Sequence, residues 1–171
     1  MKKLILAATV FIISTASVNA QMGTSFSIGL EGAAPMGVFN DLGYKFGIGG
    51  SVQLDHKVAP DMALTLNAGY ITFNNKSSSP SYRFNVIPVL GGVKYWFSPK
   101  LYGSAQLGAA FNSVKVNNST GNKTSTGFAY APGIGFSISK NLDLLLKYMG
   151  NSSDGSTFST VGGRLAYNFG K

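Results

Sequence analysis

From Tyr44 to Lys57 the chain alternates without a break. Tyr44, Phe46, Ile48, Gly50, Val52, Leu54 and His56 share one parity, and Lys45, Gly47, Gly49, Ser51, Gln53, Asp55 and Lys57 share the other. Successive side chains of a strand point to opposite faces, so this run forms one apolar and one polar face as a strand. A helix would mix the two sets.

The same rule places strands near 25–32, 61–73, 101–111, 126–138, 142–149 and 159–169. Another near 81–97 starts with Tyr82, Phe84 and Val86 on the apolar side, opposite Arg83 and Asn85. Continuing that phase would put Lys94 among apolar neighbours, so a bulge at Pro88 or Gly91-Gly92 is expected to reset it before Tyr95-Trp96-Phe97. Pro132 lacks an N–H for the ladder and predicts a local irregularity in its own strand. Short, turn-like links at 58–60, 98–100 and 139–141 alternate with longer polar ones near 33–43, 74–80, 112–125 and 150–158.

A soluble barrel or sandwich would turn its charged face outward. Here charges are only 12% of the chain, and the polar parity is rich in glycine and serine, which suits a narrow lumen. The mean hydropathy of +0.15 without any cysteine is unusual for a small secreted domain and fits an apolar solvent around the protein. A closed ring of strands is one of two ways to cross a bilayer with every backbone group satisfied. The expected fold is therefore all-β: an eight-stranded, antiparallel, up-and-down transmembrane β-barrel with short periplasmic turns and longer extracellular loops.

Aromatic residues fall at two levels, as the two membrane interfaces favour. Tyr44, Tyr70, Tyr82, Tyr130, Tyr148 and Phe158 lie toward the longer loops; Trp96, Tyr102, Phe136, Tyr167 and Phe169 lie toward the shorter ones, although Tyr102 has inward parity. Residues 1–20 read as a removable leader: Lys2 and Lys3, an apolar run from Leu4 to Ile13, then Val18-Asn19-Ala20 as a cleavage site. That leaves residues 21–171 as one exported domain. The net charge of +8 is scattered, with no Arg-rich stripe, so nucleic acid is not an expected partner.

The stretch Val86-Ile87-Pro88-Val89-Leu90-Gly91-Gly92-Val93-Lys94-Tyr95-Trp96-Phe97, followed by Leu101-Tyr102-Gly103-Ser104-Ala105-Gln106-Leu107-Gly108, resembles the central strand pair of small eight-stranded outer-membrane β-barrels of Gram-negative bacteria, especially those of the Bacteroidetes. The resemblance extends over the leader, strands and loop rhythm. It implies residence in the cell outer membrane after export to the periplasm, contact with outer-membrane lipid and lipopolysaccharide, and delivery by periplasmic chaperones to the outer-membrane assembly machinery. Tyr167 and Phe169 look like the terminal aromatic assembly signal, here followed by Gly170 and Lys171. A monomer is expected, with no peptidoglycan-binding domain after the barrel.

Function is less visible. Glu31, Lys45, Asp55, Arg83, Asp143, Lys147 and Arg164 have lumen parity and mixed sign, so either a narrow polar path or a plug of paired charges is expected. The specific pairing expected is Arg83 and Arg164 with Glu31 or Asp143. Asn117, Asn118, Lys123, Asn151 and Asp154 are candidate loop contacts for an extracellular protein or glycan. A lipid-modifying enzyme would need an outward nucleophile beside His56, the one histidine, and Thr72 is a distant candidate. With no cysteine and scattered carboxylates, no metal or other cofactor is expected. The expectation is a non-enzymatic structural, adhesion or surface-interaction barrel, with a small passive channel as the alternative and a lipid-modifying enzyme as a remote one.

Overall fold

The alternating segments form eight strands: β1 (Thr24–Met36), β2 (Tyr44–Ala59), β3 (Met62–Asn75), β4 (Tyr82–Trp96), β5 (Leu101–Val116), β6 (Lys123–Ser137), β7 (Leu142–Ser153) and β8 (Ser156–Phe169). The structure is a computed structural model that describes residues 23–37, 44–75, 82–116, 123–153 and 155–169. The leader expected over residues 1–20 lies outside them. Each strand pairs antiparallel with its chain neighbour, and β1 closes on β8 through partners such as Glu31 and Arg164. Closure removes the free edges that a bilayer could not satisfy.

Burial follows the pleat. Along β7, Asp143, Leu145, Lys147 and Met149 are buried while Leu144 and Leu146 are exposed. Leu30, Leu107, Ile134 and Leu146 are 61–72% exposed, and they belong to a continuous apolar outer band. The exposed charges among the described residues, Lys45, Lys57, Asp61, Arg83, Lys100 and Lys140, all lie at strand ends or in turns. Such a surface suits hydrocarbon rather than water.

An exposed leucine is normally a tolerant site, which gives a sharp test. Leu107→Arg places a charge within the outer band and is expected to cost about 2–4 kcal/mol if that position sits near the bilayer midplane. Urea unfolding in lipid vesicles measures it, and a neutral result would favour a water-facing surface.

Two local expectations for β4 are corrected. β4 has no bulge: its register with β5 is continuous from Tyr82 opposite Val116 to Trp96 opposite Tyr102. Its even positions point inward throughout, so Phe84 and Val86 are buried in the lumen while Arg83 is exposed. Opposite Pro88 the pairing with β3 lapses between Ala68–Val89 and Ile71–Val86, then resumes in the same register. The irregularity expected at Pro132 is present: the β6–β7 pairing lapses between Tyr130–Gly150 and Gly133–Lys147 without a shift. A missing N–H thus opens the ladder on one side without changing phase.

The loop rhythm is also less regular than the sequence implies. β7 and β8 extend through most of 150–158, leaving only positions 154 and 155 between them, with Gly155 at φ 77°. Glycine carries that left-handed turn at no steric cost.

Candidate functional site

The lumen is built from the inward parity of all eight strands and has two layers. Nearer the short turns, Glu31, Asp55 and Asp143 meet Lys94, Lys147 and Arg164, one anion for each cation, at exposures of 1–7%. Lys94 Nζ donates to Asp55 Oδ2 at 2.7 Å and lies 3.6 Å from Asp143 Oδ2. Gln53 Nε2 donates to the other Asp55 oxygen at 2.8 Å. Tyr102 and Ser137 hydroxyls donate to Asp143 at 2.9 and 2.8 Å.

A second cluster centres on Glu31. Lys147 Nζ lies 2.9 Å from Glu31 Oε2, and Arg164 Nε lies 3.7 Å from Oε1. Arg164 also donates to Ser51 Oγ at 2.7 Å and Ser27 Oγ at 3.0 Å. Gly29, next to Ser27's level on β1, leaves space that a Cβ would take from the guanidinium. Buried charges persist only when paired and hydrogen-bonded, and these are both.

Toward the longer loops the lumen becomes apolar. Ile71, Phe73, Phe84, Val86 and Met149 form a buried cluster, with Phe158 packed on it. The Phe84 ring lies 6.4 Å from Phe73 and 5.8 Å from Phe158, centre to centre. An ion crossing this layer would shed most of its water and meet only neutral polar groups such as the Asn112–Asn151 amide pair. Chemically, the interior is a charge-neutral polar lock beneath a largely apolar, uncharged layer.

Of the lumen charges read from sequence, Glu31, Asp55, Asp143, Lys147 and Arg164 are brought together. Lys45 and Arg83 are not: both are exposed toward the long-loop end. Lys94 was missed, although its charge alone argues against the lipid face. Tyr70, Tyr130, Tyr148, Tyr167 and Phe169 stand on the outward parity, with Tyr130 and Tyr148 rings 6.1 Å apart and Tyr167 and Phe169 rings 4.9 Å apart. Trp96 is a correction, because it turns inward at the short-turn mouth, 5.7 Å from the Tyr102 ring. Lys94 Nζ lies 4.8 Å from the Tyr102 ring centre and 6.0 Å from that of Trp96.

Among the loop candidates, Asn151 is a correction too. It lies in β7, is 2% exposed, and donates through Nδ2 to Asn112 Oδ1 at 2.7 Å. Asn117, Asn118, Asp154 and the side chains of Lys123, Tyr44 and Tyr82 lie outside the described residues. His56 has a nearer hydroxyl than the sequence indicates: its Nδ1 lies 2.9 Å from Thr24 Oγ1, across the β1–β2 register. No carboxylate among the described residues orients that ring, so the acid of a hydrolytic triad has no counterpart there. No cluster of metal-binding side chains occurs among the described residues.

A closed antiparallel barrel, apolar outside and charge-paired inside, defines an integral outer-membrane β-barrel protein. The chain belongs to the family of the outer membrane protein beta-barrel domain, whose model matches residues 4–169. The fold is similar to that of Ail, the attachment invasion locus protein of Yersinia pestis, at 18% identity and TM-score 0.66, covering 87% of this chain and 100% of that one. It is also similar to the N-terminal barrel domain of Pseudomonas aeruginosa OprF, at 17% identity and TM-score 0.63, covering 87% and 100% of the two chains. Neisserial surface protein A matches at 13% identity and TM-score 0.61, over 86% of this chain and 97% of that one. A search of curated protein sequences returned no match.

Proposed function

We propose that this outer-membrane barrel is a non-enzymatic surface-interaction protein whose lumen is shut. The apolar layer of Phe73, Phe84 and Phe158 above the neutral charge network carries this reading. In planar bilayers the purified protein is expected to give no stable open step. A reproducible ion-permeable step would replace this reading with the passive channel.

The extracellular ends of β4, β5 and β6 supply the contact surface. Exposed Arg83 pairs in register with Lys115, and Lys123 opens β6 opposite Val114, so three basic positions share one rim. Anionic glycans are the natural ligands of such a rim. Ail has been crystallised with the heparin analogue sucrose octasulfate, which makes a sulfated sugar the first probe. Arg83→Gln combined with Lys115→Gln is expected to weaken retention on immobilised heparin about tenfold, and more salt to weaken the native protein likewise. Equal retention of variant and native protein would remove this rim from the proposal.

A further inference from the structure

The short-turn mouth of the barrel opens into a cup of about 1400 Å³. Lys57 at the end of β2, Lys100 in the β4–β5 turn and Lys140 in the β6–β7 turn surround it, with Asp61 from the β2–β3 turn. Asp55 lies at its base, already neutralised by Lys94 at 2.7 Å. Lys57, Lys100 and Lys140 form no ion pair with any described residue. Among the described residues, the open charges of the cup are thus three cations against one anion. One wall is aromatic, formed by the inward-turned Trp96.

We propose that this periplasm-facing cup binds a short peptide segment carrying several carboxylates and at least one apolar side chain. Three features select that class. The lysines stand on separate hairpins around the rim, an arrangement that suits several spaced carboxylates better than one compact phosphate. The indole wall offers an apolar surface with a polar edge, as peptide side chains favour. The cup opens along the barrel axis and reaches inward as far as Asp55 and Ala63, both buried, so lipid headgroups lying in the membrane plane do not fill it. The opposite end presents basic positions to the exterior, so the barrel would engage an anionic ligand on each side of the membrane without joining the two through its closed lumen.

Trp96 makes the proposal directly measurable, because it is the one tryptophan in the chain. The full protein is placed in nanodiscs of zwitterionic lipid, which leave both mouths accessible, and titrated with a short synthetic peptide alternating Glu and Leu. The expected result is a saturable change in Trp96 emission that the Gln-for-Glu counterpart fails to produce. Added salt is expected to weaken it, since the rim lysines are exposed and screened. Lys57→Gln, Lys100→Gln and Lys140→Gln together are expected to weaken binding about tenfold or more.

A silent Trp96, an equal response to the Gln peptide, or undiminished binding by the triple variant would each overturn the proposal. Heat-modifiable gel mobility verifies that the triple variant is folded. If it is not, the comparison of the two peptides on the native protein decides alone.

Discussion

Glu31→Ala is expected to destabilise the barrel by about 3–5 kcal/mol, the range for removing one partner of a buried ion pair. Glu31 is the carboxylate within 4 Å of both Lys147 and Arg164, which are 7% and 2% exposed. Its loss leaves two cations in the lumen with no described carboxylate within 4 Å of either. Ser27 and Ser51 still accept from Arg164, but hydroxyls do not neutralise it. Glu31→Gln keeps the volume and removes the charge, so it should cost nearly as much. Adding Lys147→Met to Glu31→Gln removes one stranded cation and is expected to recover part of the loss, which marks the pair as coupled. Urea unfolding followed by gel mobility measures all three variants. A cost below about 1 kcal/mol for Glu31→Ala would mean that the lumen solvates its cations without the carboxylate, against the desolvation expected there.

The closure that makes Glu31 and Arg164 neighbours was visible in the chain, because an up-and-down order of eight strands must bring β1 against β8. The strict alternation of β2 likewise identified its lumen face, from Gln53 and Asp55 to Ser51. β4 was harder for a physical reason. Both of its parities are apolar, with Phe84, Val86 and Leu90 on one and Ile87, Val89 and Val93 on the other. Hydrophobicity cannot phase such a strand, and equating apolar with lipid-facing placed Phe84 outward. The one informative residue is Lys94, whose charge forces its whole parity into the lumen once no bulge intervenes.

The same equation hid the apolar layer, since a narrow barrel has interior positions with neither water nor a charge to match. Trp96 was misplaced for a related reason: an aromatic girdle argues from height in the membrane, whereas facing is set by parity. The turn candidate Asn151 was lost to strand extension, because a run of Asn, Ser and Gly reads as loop by composition even where the ladder continues.

Gly135→Val is expected to cost about 2–5 kcal/mol, combining overpacking with loss of a buried hydrogen bond. Tyr102 and Gly135 are register partners on β5 and β6, and a Cβ at Gly135 would fall on the Tyr102 ring. The glycine lets that ring lie flat across β6, so that its hydroxyl reaches Asp143 on β7 at 2.9 Å. With valine there, the ring must turn away, and Asp143 keeps Ser137 and the more distant Lys94 but loses the tyrosine. The displaced ring also moves relative to Trp96, 5.7 Å away, so a changed Trp96 emission should accompany the lost stability. Tyr102→Ala alone empties the space the ring fills and is expected to cost about 3–5 kcal/mol. In the double variant the valine occupies part of that space, so the combined loss should be smaller than the sum of the single losses by more than about 1 kcal/mol. Strict additivity with an unchanged Trp96 signal would show that Tyr102 does not depend on the gap at Gly135.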